Sequence, residues 1–139
     1  MPAVLSKNAP CPCGSGRKAK GCCAAVIGGL PAGTPEALMR SRYTAYATGQ
    51  CAHLVATTHP TNEHWRSDVG SWRAELAEYC AAVQFVGLTV AFSKQAGDHG
   101  EVMFEARYTR DGSEFAIVEH STFVREHGRW FYVSAKKQG

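Results

Sequence analysis

Four strand-like runs follow one another in the stretch QFVGLTVAFSKQAGDHGEVMFEARYTRDGSEFAIVEHSTFVREHGRWFYVSA, residues 84–135. Each run is rich in β-branched and aromatic residues and ends at a turn signal. The Asp111-Gly112 pair is the strongest of these signals, because both residues tolerate the backbone of a tight hairpin turn. The pattern predicts an antiparallel meander with strands at 84–94, 101–110, 113–126 and 129–135.

Helical patterns precede the strands. The first helix begins at Thr34-Pro35-Glu36, which supplies an N-cap, a first-turn proline and a first-turn acid. One face of it carries Met39, Tyr43 and Tyr46 at helical spacing. Two further helices are predicted over 51–58 and about 67–83. Helices followed by an antiparallel sheet predict an α+β domain whose helices cover one face of a curved four-stranded sheet.

The composition places the chain among folded proteins. It has 139 residues, of which 45% are hydrophobic and 19% charged, enough for one domain and a small appendage. It contains no run of 18 apolar residues and no apolar signal region near Met1, so we expect a cytoplasmic protein that does not insert into membranes.

Four cysteines stand close together near the N-terminus, in a C-x-C-x8-C-C pattern: Cys11, Cys13, Cys22 and Cys23. Glycines between the two pairs allow the tight turn that brings all four sulfurs together. Four soft thiolates favour a closed zinc site, and the same ligands also accept iron. Disulfides or free thiols are the alternative, which a reducing compartment disfavours.

The net charge of +3 is concentrated beside these cysteines. Residues 1–35 contain four basic residues and no acid, whereas the remaining chain is nearly balanced. Two interpretations remain open for Arg17, Lys18 and Lys20. They neutralise a negative four-thiolate metal centre, or they steer this segment toward an acidic protein or RNA phosphates.

The segment PCPCGSGRKAKGCC, residues 10–23, resembles the SEC-C motif at the C-terminus of the SecA translocation ATPase. That resemblance implies zinc binding and docking to a partner such as a chaperone or the ribosome.

The rest of the chain resembles the YchJ family, which joins a SEC-C hook to a nuclear-transport-factor-2-like (NTF2-like, cystatin-like) domain. The resemblance implies an NTF2-like cone, although a different α+β roll also fits the order of elements. We therefore predict a hook at 1–27, a linker at 28–33 and a body at 34–139. The matching segments are LMRSRYTAY (38–46), TTHP (57–60), LTV (88–90), VxFxAR (102–107), ExSxF (119–123) and GRWxY (128–132).

A candidate pocket follows from the third strand, where Glu119 shares a face with Phe115 and Phe123. If that face points inward, the carboxylate needs a partner, and Arg40 or Arg42 is the expected counter-charge. His59 and Trp130 are expected to line the same space. An internal Arg–Glu pair that pins the helix to the sheet is the structural interpretation, which we favour over an acid–base pocket.

Two functions of different classes therefore emerge from the sequence. The leading one is a zinc-hook adaptor whose hook docks to a protein or ribosomal partner. The alternative is a small-molecule enzyme with an acid–base pocket built on Glu119 and His59. RNA contact through Arg17, Lys18 and Lys20 is a further, weaker prediction.

Overall fold

The computed structural model describes residues 2–137. The fold is the predicted α+β type, with four helices followed by one four-stranded sheet. Gln138 and Gly139, the last two residues of the predicted body, lie outside the described residues. A short 3-10 turn at Ala19–Gly21 precedes the elements, which are α1 Cys23–Ile27, α2 Pro35–Thr48, α3 Cys51–Ala56, α4 Val69–Ala82, β1 Gln84–Ala96, β2 His99–Arg110, β3 Ser113–Glu126 and β4 Arg129–Lys137.

The sheet is the predicted meander, because all strands pair antiparallel in the order β1-β2-β3-β4. The Asp111-Gly112 turn has φ of 52° and 79°, the left-handed conformation that this pair was predicted to adopt. Register shifts interrupt β1 between Phe85 and Gly87 and between Val90 and Phe92. Such irregularities bend a strand, so they curve the sheet around the helix on its inner face.

Helix α2 lies across the inner face of the sheet. The Thr34 hydroxyl caps it by accepting a bond from the Ala37 amide at 3.0 Å, and Gly49 ends it with a φ of 71°. Its buried side chains pack with sheet residues to form the core of the body, which includes Leu38, Met39, Tyr43, Leu88, Val102, Ala106 and Phe123.

The strands and helices differ from their predicted bounds only at their ends. β1 and β2 are each two residues longer than predicted, because their pairing continues to the turn between them, and β4 is two residues longer because Lys136 and Lys137 still pair with β3. Helix α3 is two residues shorter than predicted, because the Thr57 and Thr58 hydroxyls bond back to the carbonyls of His53 and Leu54. Such side-chain bonds compete with continuation of a helix.

The hook packs against the body. Its cysteines and Ala19 belong to the same buried cluster as Leu38, Met39 and Tyr43 of α2. Ala32, inside the segment predicted to be a linker, is buried as well. The N-terminal residues join α2 from the other side, since the Ala3 amide donates to the Ala47 carbonyl at 3.0 Å. Residues 28–33 therefore connect two parts of one continuous core.

Candidate metal centre

The side chains of Cys11, Cys13, Cys22 and Cys23, the four-cysteine cluster, converge on one point. Their sulfur atoms all lie within 4.8 Å of one another, and all four side chains are buried. The Cys13 and Cys22 sulfurs are 3.6 Å apart, and those of Cys22 and Cys23 are 3.9 Å apart. A tetrahedral zinc ion with bonds of about 2.3 Å places its sulfur ligands about 3.8 Å from one another. The geometry of the cluster therefore fits a tetrahedral metal ion bound by four thiolates.

The backbone between the cysteine pairs makes this convergence possible. Gly14 and Gly16 have φ of 79° and 85°, which side chains rarely tolerate, and the Gly14 amide closes a turn onto the Cys11 carbonyl at 3.1 Å. The Cys11 amide then donates to the Arg17 carbonyl at 2.8 Å. Cys22 has φ −135° and ψ −120° at the N-cap of α1, so the chain bends sharply where two adjacent sulfurs must face one ion.

Hydrogen-bond donors surround the sulfurs. The Ser15 hydroxyl lies 3.2 Å from the Cys22 sulfur, and Arg17 Nη2 approaches the same sulfur at 3.7 Å. Hydrogen bonding from the backbone amides of Cys13 and Cys23 partly offsets the rise in the pKa of Cys11 that burial causes. Donors of this kind stabilise thiolate charge in metal sites.

The pKa values of the cysteines show why a cation suits this site. The hydrogen bond from the Cys23 thiol, assisted by Ser15, lowers the pKa of Cys13 to about 4. The same bond, together with burial, raises the pKa of Cys23. Burial raises the pKa of Cys11 as well. Among Cys11, Cys13 and Cys23, the protein alone therefore favours the thiolate at Cys13, and four thiolates together need a multivalent cation to balance their charge.

One side chain of α2 fastens the four-cysteine cluster to the body. Arg40 Nη1 donates to the Cys13 carbonyl at 2.7 Å, and its Nε donates to Glu36 Oε2 at 2.9 Å. Glu36 in turn accepts a bond from the Ser93 hydroxyl of β1 at 2.9 Å. The pKa of Glu36 is lowered, chiefly by Arg40. Arg40, one of the two residues expected as a counter-charge for Glu119, thus bonds to the hook instead.

The three basic residues predicted to dock a partner lie beside the metal centre. Arg17, Lys18 and Lys20 are all exposed. The position of Arg17 is compatible both with neutralising the thiolates and with contacting a partner. Its Nη2 atom approaches the Cys22 sulfur, and the residue is exposed to solvent.

Of the four predicted pocket residues, Arg42 and Glu119 lie together, whereas His59 and Trp130 lie outside their cavity. Arg42 and Glu119 line one cavity of about 460 Å³ between α2, α4 and the inner face of the sheet. His59 lies elsewhere, with Nε2 3.1 Å from Glu126 Oε1 and Nδ1 2.7 Å from the Thr61 hydroxyl.

Trp130 is buried at the other end of the sheet, under the guanidinium of Arg125 at 5.1 Å from the ring centroid. Trp130 and Tyr132 share a face of β4, but Tyr132 lines this cavity, whereas Trp130, two residues nearer the β3–β4 turn, lines a separate one. The geometry does not assemble an acid–base pair of Glu119 and His59.

Arg42 is held by the body itself. Its Nη1 atom donates to the Leu54 carbonyl at 3.0 Å and to the hydroxyls of Thr57 and Thr58 at 2.8 and 3.1 Å. Its guanidinium lies 4.5 Å from the centroid of the Tyr132 ring. Complete burial lowers its pKa, which the nearby phenols partly oppose. Arg42 therefore ties α2 to α3 and to β4.

Sequence reasoning missed two groups of functional side chains. The Arg40–Cys13 contact spans 27 residues, and only the Glu36–Arg40 spacing hinted that Arg40 was engaged. The cavity also takes Tyr79 from α4, Phe85 from β1 and Tyr132 from β4. Their aromatic character was visible in the sequence, but their convergence depends on how the sheet curves.

Within residues 2–137, no helix combines the length and the apolar character that crossing a membrane requires.

The fold and the cysteine cluster define a class of protein in which a SEC-C motif is joined to an NTF2-like domain. The family model described as "YchJ, middle NTF2-like domain" matches residues 34–135, and the SEC-C motif matches residues 8–25. The chain belongs to the YchJ family.

Related proteins agree with this assignment. A UPF0225 protein from Pectobacterium carotovorum subsp. carotovorum (strain PC1) is 39% identical over 129 residues, covering 88% of this chain and 80% of that protein. The solution structure of a SEC-C motif containing protein from Rhodopseudomonas palustris is 32% identical with a TM-score of 0.81, covering 94% of this chain and all of that one. A SEC-C motif containing protein from Psychrobacter arcticus has the same fold, with 22% identity and a TM-score of 0.74 over 98% of this chain and 85% of its own.

Proposed function

We propose that this protein is a zinc-binding adaptor whose hook docks to an acidic surface of a protein partner. The observation that carries the proposal is the convergence of four buried sulfur atoms within 4.8 Å of one another. Such a set supplies every ligand of a tetrahedral ion, and zinc is the ion that closed four-thiolate sites in small modules bind most often. Bound zinc then holds the loop between the cysteine pairs in one conformation.

A structural role suits this ion better than a catalytic one. A tetrahedral ion held by four protein sulfurs keeps no position for a reacting water, whereas catalytic zinc sites have three protein ligands. The buried side chains of the four-cysteine cluster also shield the ion from solvent. The ion would therefore hold the surface of the hook in one shape and would not take part in a reaction.

The surface that zinc would shape is basic. Arg17, Lys18 and Lys20 project from the loop whose two ends are ligand pairs, and the first 35 residues contain no acid to offset them. A fixed basic loop favours an acidic partner surface, because opposite potentials steer encounter and set orientation. By family resemblance, a chaperone or a ribosomal protein is the kind of partner we propose.

The metal is tested first. Purified protein is denatured and its zinc and iron are measured by mass spectrometry, with Cys22→Ser/Cys23→Ser as the variant and Cys51→Ser as a control outside the cluster. We expect one zinc per chain in the wild type and in Cys51→Ser, and almost none in the double variant. Replacement by Co²⁺ is expected to give the absorption of a tetrahedral thiolate site. Iron as the bound metal, or no metal, would contradict the zinc assignment.

Docking is tested with charge reversal. The variant Arg17→Glu/Lys18→Glu/Lys20→Glu changes the hook, and Arg73→Glu/Arg110→Glu/Arg129→Glu changes three exposed residues of the body by the same total charge. In a pull-down with protein identification, partners captured by the wild type should be lost with the hook variant and with Cys22→Ser/Cys23→Ser, but kept by the body variant. Equal capture by all four proteins would refute docking through the hook.

RNA is distinguished in the same experiment. Nuclease treatment and a salt series are applied to the wild-type complexes. A protein partner should survive nuclease, whereas RNA-mediated capture should disappear with nuclease and weaken steeply as salt rises. The latter result would replace the protein partner by RNA.

A further inference from the structure

We propose that the cavity of the body binds an uncharged aromatic molecule that carries one hydroxyl or carbonyl group. The cone cavity, as we call it, has a volume of about 460 Å³, is lined by α2, α4 and the inner face of the sheet, and opens to solvent. Pockets for small molecules have volumes of about 300–1,000 Å³ and mostly apolar walls, and the cone cavity fits both criteria.

Aromatic side chains dominate its wall. Seven of its fifteen lining residues are phenylalanine or tyrosine, and they come from α2, α4 and all four strands. Several of them already pack against one another edge to face: the ring of Tyr43 lies 5.5 Å from that of Phe85, and Tyr46 lies 5.8 Å from Tyr79. Walls of this kind favour an aromatic ligand, which can pack by the same stacked or edge-to-face contacts.

The polar groups of the wall act as neutral hydrogen-bonding partners. Burial raises the pKa of Tyr79 to about 12 and that of Tyr132 to about 12. Both phenols therefore keep their protons near neutral pH, and each hydroxyl can donate one bond and accept another. Ser121 adds a third hydroxyl to the wall. A ligand hydroxyl or carbonyl matches this set.

The charges of the wall favour a ligand without net charge. Arg42 and Glu119 both line the cavity and carry opposite charges, so the wall is formally neutral. Arg42 is already engaged by three oxygen atoms and by the face of Tyr132, as described above. A charged ligand would add an unbalanced charge to this formally neutral wall, and the desolvation of that charge is costly.

An entrance exists beside the loop between α3 and α4. A second cavity of about 400 Å³ shares Tyr46, Glu119 and Tyr132 with the cone cavity. It extends to the ion pair between Arg66 Nη1 and Glu75 Oε1, whose atoms are 2.6 Å apart and whose side chains are about half exposed. A ligand can reach the aromatic wall past this rim.

The test uses three probes that share a naphthalene ring and carry a neutral, an anionic or a cationic substituent: 2-naphthol, the 2-naphthoate anion and the 2-naphthylmethylammonium cation. Isothermal titration calorimetry of the full chain should give a Kd for 2-naphthol of the order of 100 µM or tighter. The two charged probes should bind at least about tenfold more weakly. Equal or tighter binding of either charged probe would overturn the proposed ligand class.

Matched variants locate the binding. Ile117 lines the cone cavity, and Val118, its neighbour in β3, points to the opposite face of the sheet. Ile117→Phe should abolish binding of 2-naphthol by filling the cavity, whereas Val118→Phe should retain it. Leu76→Phe, which fills the cavity from α4, replaces Ile117→Phe if circular dichroism shows that the latter does not fold. No binding by the wild type, or unchanged binding by a folded cavity variant, would refute the proposal.

Discussion

The protonation state of His53 depends on its burial in the body. The Ser41 hydroxyl donates to the Leu38 carbonyl at 2.7 Å, so its oxygen accepts from His53 Nε2, 2.8 Å away, and this geometry assigns the neutral tautomer with the proton on Nε2. Burial, assisted by the positive charge of Arg42, lowers the pKa of His53 to about 4. His53 therefore stays neutral in the folded protein where an exposed histidine would gain a proton.

This shift predicts a pH dependence of stability. The folded pKa is lower than the unfolded one, so the unfolded chain binds more protons as pH falls below about 6.5, and the free energy of unfolding decreases until about pH 4. Between about pH 7.5 and pH 5, the free energy of unfolding of the wild type should fall by about 2 kcal/mol more than that of His53→Gln. This variant keeps a hydrogen-bond donor for Ser41. Urea denaturation at both pH values measures the difference between variant and wild type.

The exposed His99 provides the control for this experiment. His99→Gln should leave the loss of stability on acidification unchanged. Metal release at low pH affects every variant alike and cancels in the comparison. An identical acid response of wild type and His53→Gln would show that His53 does not contribute to it.

Among the secondary-structure elements, β2 and α2 are in direct contact at Gly100, where the strand backbone meets the ring of Pro35. A Cβ atom on Gly100 of β2 would clash with the ring of Pro35, lying 2.7 Å from its Cβ, and would also crowd Trp130 at 3.4 Å. Pro35 is the first residue of α2 and its ring cannot rotate away. The start of the helix therefore rests directly on the strand, which helps to set how α2 crosses the sheet.

Gly100→Ala is expected to destabilise the protein by about 1–3 kcal/mol, because the added methyl group must displace a rigid proline ring or the strand itself. Chemical denaturation followed by tryptophan fluorescence measures the change. Gly33→Ala is the control, since a Cβ atom there meets no heavy atom within 4 Å. A Gly100→Ala variant as stable as Gly33→Ala would mean that α2 shifts easily on the sheet.

The whole molecule behaves as one packed unit despite its two family modules. The four-cysteine cluster shares a buried core with Leu38, Met39 and Tyr43, and Arg40 bonds to the Cys13 carbonyl. All three tryptophans, Trp65, Trp72 and Trp130, lie in the body, so their fluorescence reports on the body alone. Metal binding at the hook should therefore stabilise the body, although residues of the body do not contact the metal.

Removal of the metal with a strong chelator is expected to disorder the hook and leave the body folded but less stable. The midpoint of thermal unfolding measured by tryptophan fluorescence should fall by at least about 4 °C, since the body loses packing against the hook. Cys22→Ser/Cys23→Ser should start at the lower midpoint and show no further change with chelator. An unchanged midpoint in the wild type would indicate that the hook adds nothing to the stability of the body.

The elements themselves could be predicted because their signals are local. The Asp111-Gly112 turn, the cap at Thr34 and the alternation along β3 each depend on neighbours within a few residues. The cysteine cluster could be predicted as well, because its four members lie within 13 residues and the glycines between them indicate a turn. Such short-range patterns need only local backbone geometry, which residue type largely decides.

Contacts between distant residues could not be predicted in the same way. His59 was expected in the cavity beside Glu119, but pairing of residues 58 and 59 with Tyr132 holds His59 on the side of Glu126. Arg40, one of the two expected counter-charges of Glu119, bonds to the Cys13 carbonyl of the hook instead.

The sequence alone determined the order of helices and strands, the strand pairing and the identity of the four clustered cysteines, because those properties depend on neighbours in the chain. Only the tertiary structure decided that the hook is packed against α2, that the cone cavity is walled by aromatic rings from six elements, and which charged residues face it. Those features depend on sheet curvature and on where α2 lies across the sheet, and packing of the whole core sets both.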